Sequence, residues 1–276
     1  MTPEDLAALP RPLAFVLPGG GALGSYQVGV LKALAETGVR PDLLIGVSAG
    51  SVNAALYAWN SGHDGIQRLE AIWRTVRRRD LMRFQPHRLA LAVAGRHPSF
   101  LDNRHGEQFL RHHLGSRVLE HAPVRLVIVA ADLSSGAAVA LTEGDTVTAV
   151  LASSAFPGVY PPVHFQGHTF IDGGVVADVP LDIAVAQGAA SALVLSVPPL
   201  TAGEPPRNAL DILFRASSLG VEAHGRSVLR RPPPELTVVE IPAPPSEVTT
   251  FDVGRSAAMI DQARATTEEW LRSTTE

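Results

Sequence analysis

Residues 13–24 read Leu13-Ala14-Phe15-Val16-Leu17-Pro18-Gly19-Gly20-Gly21-Ala22-Leu23-Gly24. Five apolar residues in a row, with no polar alternation, suit a strand buried on both faces, as in a parallel sheet covered by helices. The glycines that follow set a row of backbone N–H groups at the entrance to a helix, where negative charge is favoured. That helix is expected to run from Gly24 to about Glu36, with Val30, Leu31 and Leu34 on its apolar side and Gly38 as its stop signal. The next short strand, Leu43-Leu44-Ile45, leads into Gly46-Val47-Ser48-Ala49-Gly50. A second helix follows, with Val52, Ala55, Leu56 and Trp59 on one face.

Outward from this start, helices are expected over Gly65–Arg79 and from a cap at Asp102 through Leu114. A central strand is expected over Val124–Ala131, with a partner at Ala137–Leu141 across the Ser134-Ser135-Gly136 turn, then a short helix over Asp145–Ala152. His168–Ile171 reads as a strand, Leu181–Gln187 as a helix and Ala192–Val197 as a strand. Alternating strands and helices imply an α/β fold with a mostly parallel sheet covered on both faces. Two proline-rich stretches, Pro198–Pro206 and Pro232–Pro245, read as irregular surface connections around a helix at Asn208–Leu229. A last helix is expected over Val253–Leu271. The expectation is one domain over residues 1–276, its motif-bearing core at about 13–197 and a helical, proline-rich extension at 198–276.

Composition narrows the function classes. The 276 residues, 46% hydrophobic, suffice for a sizeable core. With no cysteine, disulfides, cysteine nucleophiles and cysteine-ligated metals are excluded. A net charge of -4 predicts no general affinity for nucleic acid. Lys32 is the sole lysine, so nearly all positive charge is arginine. No basic leader with an apolar core opens the sequence, and no apolar run approaches the ~20 residues of a membrane span. The expectation is a cytoplasmic protein, with peripheral membrane contact as an option.

Ser48 lies in the strand–turn–helix setting that a G-x-S-x-G nucleophile elbow needs. Gly46 and Gly50 remove side chains that would collide across so sharp a turn, and Ser48 is expected in strained backbone geometry. The alternative is an ordinary N-cap serine. Gly19–Gly24 also fits the G-x-G-x-x-G of a dinucleotide site, but Asp42 precedes the second strand where that site wants an acid after it. Acyl transfer uses both segments, the loop amides serving as donors to a tetrahedral oxyanion. Among candidate bases, His112 and His113 are adjacent on a helix and cannot both face one site, and His224 reads as a surface histidine. Asp172-Gly173-Gly174 ends a strand, where α/β sheets place their chemistry, though alone it is a turn signal. Asp132 is the reserve acid, with a turn role as its alternative. Asp178 and Asp182 read as caps of the helix after Asp-Gly-Gly. No histidine spacing suggests a metal.

Taken together, Gly19–Gly24, Gly46–Gly50 and Asp172–Gly174, in this order, resemble the patatin-like phospholipase family. The segment Ala152-Ser153-Ser154-Ala155-Phe156-Pro157-Gly158-Val159-Tyr160-Pro161-Pro162 is similar to that family's stretch ahead of its Asp-Gly motif, and the likeness runs from about Leu13 to Val197. The resemblance implies a three-layer α/β/α fold and hydrolysis of a lipid acyl ester through a Ser–Asp dyad without histidine, metal or cofactor. Carried over by matching motif, Ser48 is the nucleophile and Asp172 the general base. Gly19, Gly20, Gly21 and Ala22 supply the oxyanion hole, and Gly46, Gly50, Gly173 and Gly174 support the elbow and the turn. Many members carry arginine beside the last glycine of the first motif, where this chain has Leu23. The implied substrate is a phospholipid or lysophospholipid. A short-chain esterase or acyl thioesterase, and a non-catalytic lipid-binding protein, are the alternatives. With the net charge already arguing against a nucleic-acid partner, the oligomer is left open.

The interval 74–104 is rich in arginine (Arg74, Arg77, Arg78, Arg79, Arg83, Arg88, Arg96, Arg104) and carries apolar residues such as Leu81, Phe84 and Leu89. Such a mixture suits a cover touching anionic lipid, or else a solvated helix end.

Overall fold

The computed structural model describes residues 1–81, 91–92, 94–199, 208–250 and 252–273, the side chains at 209–211 and 214 excepted. The apolar runs become strands: β1 (Leu13–Leu17), β2 (Leu43–Val47), β3 (Arg125–Asp132), β4 (Ala138–Leu141), β5 (Val163–Phe165), β6 (His168–Asp172), β7 (Ser191–Leu195) and β8 (Thr237–Ile241). They form one sheet in the order β5-β6-β3-β2-β1-β7-β8, with β4 also on β3. From β3 through β2, β1 and β7 to β8 every pairing is parallel. Pairings among β3, β4, β5 and β6 are antiparallel.

The α-helices with described bounds include α1 (Pro3–Ala7), α2 (Gly24–Thr37), α3 (Ala49–Ala58), α4 (His63–Thr75), α5 (Arg78–Leu81), α6 (Arg104–Leu114), α7 (Thr146–Ser153), α8 (Gly174–Ala177), α9 (Leu181–Ala186), α10 (Ala209–Arg230) and α11 (Ser256–Arg272). All five residues of β1 are fully buried, which explains its lack of alternation. Leu13, Phe15 and Leu17 join the core formed with α2, α3, α4 and α11, while Ala14 and Val16 join Val179, Leu181 and Ala184 on the opposite face. The sheet is therefore the middle of three layers. Each fully buried Leu or Phe on it contributes roughly 1.5–3 kcal/mol.

Gly38 ends α2 in the left-handed conformation, φ 78°, as its sequence position suggested. Among the boundaries that differ from expectation, two have a visible cause. The fourth helix stops at Thr75, because Val76 turns extended and lines the central cavity. Asn103, not Asp102, occupies the N-cap position of α6, and Asp102 Oδ1 instead accepts the Arg104 N–H at 3.2 Å. One reading is corrected. The stretch 232–245 is not wholly irregular: Thr237–Ile241 forms β8, paired in parallel with β7. Its prolines lie outside the paired residues, and an edge strand tolerates them there.

The register of β3 positions the site. Ile128 and Val129 pair with β2 (Gly46, Val47) and with β4 (Leu141, Ala140), so β2 and β4 hold opposite edges. Ala130 and Ala131 pair with β4 (Val139, Ala138) and with β6 (Asp172, Ile171). Hence β6 continues along the edge that β2 vacates. Val47 lies against Val129, the chain turns away at Ser48, and Asp172 arrives against Ala130.

Candidate active site

The elbow is held by contacts that leave no room for larger residues. A Cβ on Gly46 would stand 2.6 Å from Ser51 Cα, and one on Gly50 only 2.0 Å from the Leu17 carbonyl oxygen. Ser48 between them has φ 51° and ψ -123°, a strained conformation for a residue with a side chain. It precedes α3 directly, yet its side chain makes no capping hydrogen bond. Its backbone is gripped instead. The Ser48 N–H donates to Ser153 Oγ at 2.9 Å, and that hydroxyl donates to the Val129 carbonyl at 2.6 Å. The Ser48 carbonyl accepts from Ser51 Oγ at 2.6 Å and from Ser154 Oγ at 3.3 Å. Ser153 and Ser154 thus hold a turn more than a hundred residues away. The sequence offered no signal for this beyond their place in the segment at 152–162.

The structure brings Ser48 and Asp172 together. Ser48 Oγ donates to Asp172 Oδ2 at 2.7 Å, and Asp172 Oδ1 accepts the Gly174 N–H at 2.9 Å. Asp172 is buried, and burial pushes its carboxyl up to about 7, against the pull of these two hydrogen bonds; the nearby Asp178 adds to the rise. Gly173 fits because a Cβ there would lie 2.2 Å from the Val129 carbonyl oxygen.

Of the four loop amides expected to face the site, two have protein acceptors. The Gly19 N–H donates to Asp178 Oδ1 at 2.8 Å and the Ala22 N–H to the Thr250 carbonyl at 2.8 Å. Among the described residues the Gly20 and Gly21 amides have no acceptor. These two glycines adopt φ 145° and 59°, conformations that residues with side chains rarely take. The sequence position of Asp178 suits a helix cap, and the structure differs. Instead α9 begins at Leu181 with no side-chain cap, and Asp178 reaches across to the glycine loop.

The other candidates lie elsewhere. Asp132 accepts the N–H groups of Ser134 and Ser135 at 2.7 and 2.9 Å and sits 2.6 Å from His168 Nδ1; the Ser135 N–H first, and His168 after it, hold its carboxyl down at about 2. His112 and His113 stack edge to face on α6, and His224 is exposed on α10. Among the described residues, no histidine lines the cavity and no three His, Asp or Glu side chains cluster as a metal site.

Ser48, Asp172, Asp178 and Gly19–Leu23 open onto a cavity of about 510 Å³. Its walls are mainly apolar, with Trp73, Val76, Leu81, Phe109 and Leu151 on one side. Arg226 is its cation among the described residues, 3.1 Å from Glu222. Of the arginine-rich interval, residues 82–90 and 93, including Arg83, Phe84, Arg88 and Leu89, lie outside the described residues. No helix among the described residues is long and apolar enough to cross a membrane.

Comparison with known proteins places this geometry in context. A family model described as patatin-like phospholipase matches residues 15–185. An uncharacterized NTE family protein of Mycobacterium tuberculosis is 30% identical over 178 residues, 64% of this chain and 29% of that protein. Patatin-like phospholipase domain-containing protein 7 of Rattus norvegicus is 29% identical over 187 residues, 67% of this chain and 13% of that protein. The chain spans less than a third of the length of these curated relatives. Among solved structures, VipD from Legionella pneumophila aligns with a TM-score of 0.46 at 14% identity, covering 94% of this chain and 67% of VipD.

Proposed function

Because the chain belongs to the patatin-like phospholipase family, we propose that it is a serine acyl-ester hydrolase acting on lipids, of the phospholipase A or lysophospholipase type, with Ser48 and Asp172 as its dyad. The observation that carries this reading is the 2.7 Å hydrogen bond from Ser48 Oγ to Asp172 Oδ2 at an apolar cavity. A volume of about 510 Å³ lies within the roughly 300–1,000 Å³ usual for small-molecule sites.

In this mechanism Ser48 Oγ attacks the ester carbonyl carbon while ionised Asp172 takes the hydroxyl proton. The carbonyl π electrons move onto oxygen, and the Gly20 and Gly21 amides receive the resulting charge. Such a donor is typically worth ~10²–10³ in rate. Collapse breaks the bond to the alcohol oxygen, which leaves with the proton from Asp172. Water then gives a proton to Asp172 and attacks the acyl-serine; the fatty acid departs and Ser48 regains its proton. A base whose carboxyl is raised to about 7 is matched to this work near neutrality. The apolar wall receives the acyl chain. The interval 74–104 provides a peripheral membrane contact, with Leu81 lining the cavity.

Defined vesicles of phosphatidylcholine and of lysophosphatidylcholine, with fatty acid release followed by mass spectrometry, test the substrate class. Wild type releases fatty acid and Ser48→Ala does not. Turnover of p-nitrophenyl butyrate or acyl-CoA alone would move the assignment to an esterase or thioesterase. No turnover of any ester, with or without detergent, would overturn the enzyme reading in favour of a lipid-binding role. Flotation with anionic vesicles tests the contact; partitioning that ignores both anionic lipid and salt would retire it.

A further inference from the structure

Asp178 is a carboxylate that the dyad does not use. It follows α8 and lies at the meeting point of three segments. Its Oδ1 accepts the Gly19 N–H at 2.8 Å. A Cβ on Gly19 would stand 2.9 Å from that oxygen and 3.2 Å from Ser48 Cβ, so loop, acid and nucleophile are packed against one another. On the third side a Cβ at Gly225 of α10 would lie 3.5 Å from Asp178 Oδ2. The other end of the glycine loop is tied by Ala22 to the Thr250 carbonyl. The loop is therefore clamped at both ends, and among the described residues the amides without acceptors are the two between the clamps.

We propose that Asp178 is a positioning residue for the reaction: its carboxylate holds the Gly19 amide, fixing the glycine loop beside Ser48 and leaving Gly20 and Gly21 as the oxyanion donors. The inference rests on the hydrolase reading above. A hydrogen bond from N–H to a carboxylate is stronger than one to a neutral acceptor, so Asp178 is a firm anchor for a loop of glycines that has little conformational preference of its own. It also places a second negative charge near Asp172. Among the described residues, the charged groups that face Asp178 are Asp172 on β6 and Glu222 on α10, the latter paired with Arg226. The proximity makes Asp172 harder to ionise, so neutralising Asp178 moves the acid limb of the rate profile to lower pH.

The test compares full-length Asp178→Asn and Asp178→Ala with wild type on a soluble ester, p-nitrophenyl butyrate, with folding followed by near-UV circular dichroism. Asn keeps an oxygen acceptor for Gly19 and Ala does not. Asp178→Ala is expected to lose about 10²-fold in kcat, the scale of one oxyanion donor, with KM changed less than threefold. Asp178→Asn is expected to stay within about fivefold of wild type, the scale of one ordinary hydrogen bond, with its acid limb shifted down. Equal loss in both variants, a change confined to KM, or kcat for Asp178→Ala near wild type would overturn the inference. Should Asp178→Ala not fold, Asp178→Asn decides: high kcat with a lowered acid limb supports the proposal, and low kcat or an unmoved limb rejects it. Failure of wild type itself to turn over any ester would remove the hydrolase reading along with it, a distinct result.

Discussion

Asp172 and Asp132 end neighbouring antiparallel strands and are equally hidden from solvent, at 3% and 4% exposure. Their carboxyls nonetheless move in opposite directions, to about 7 and to about 2. Surface area alone does not separate them: desolvation dominates at the deeper Asp172, and hydrogen-bond donors dominate at Asp132. Asp132 is covered by its own turn, which supplies two backbone N–H donors, and by His168, whose side chain is 59% exposed. Asp172 has one backbone donor, one hydroxyl, and a second carboxylate nearby. An acid wrapped in donors stays ionised and ties a turn. An acid set so deep that loss of solvation outweighs its two hydrogen bonds becomes one that can hold a proton near neutrality.

The sharpest break between the two is in turnover. Ser48→Ala and Asp172→Asn are each expected to lower kcat about 10⁴-fold, the scale of losing a member of a catalytic set, whereas Asp132→Asn stays within about threefold of wild type, as expected of an acid outside that set. A large loss in Asp132→Asn on a folded protein would dissolve the distinction. Next in size is the pH profile. In the proposed mechanism Asp172 must be ionised to accept the serine proton, so kcat/KM is expected to fall about tenfold per pH unit below about 7. Asp132→Asn leaves that limb in place. A limb near 4 would mean that Asp172 behaves as an ordinary carboxylate.

Stability sharpens the comparison least but with opposite signs. For Asp172 the folded carboxyl is raised, from 3.8 to about 7. Its contribution is therefore fully present below pH 4 and lost as pH rises through 7. Asp172→Asn is expected to gain on wild type between pH 4 and 8, by on the order of 4 kcal/mol at 1.36 kcal/mol per pH unit. For Asp132 the folded carboxyl is lowered, so its contribution is present above about pH 4 and lost as pH falls through about 2. Asp132→Asn is expected to lower Tm at neutral pH and to match wild type near pH 2. Thermal melts across pH check both; gaps of the same sign would contradict the account.

Much of this arrangement was legible in the sequence, for reasons that also explain the rest. The unbroken apolar runs of β1 and β3 betrayed strands with both faces covered, and Gly38 marked a helix end by its left-handed backbone. The elbow was visible because its glycines and serine are neighbours in sequence. The Ser48–Asp172 contact spans 124 residues, and only the order of three motifs suggested it. Asp178 was misread because its partner, Gly19, is 159 residues away while a helix start lies nearby. Edge strand β8 hid among prolines that sit just beyond its paired residues. Half-exposed β5, three residues long, was too short for its alternation to register.

The most direct test of the central claim is covalent. Intact-mass and peptide analysis after fluorophosphonate treatment is expected to place one adduct on Ser48. Labelling should rise with pH through about 7, be absent in Ser48→Ala, slow sharply in Asp172→Asn and be unchanged in Asp132→Asn. An adduct on another residue, or labelling of Ser48 at full rate in Asp172→Asn, would contradict it.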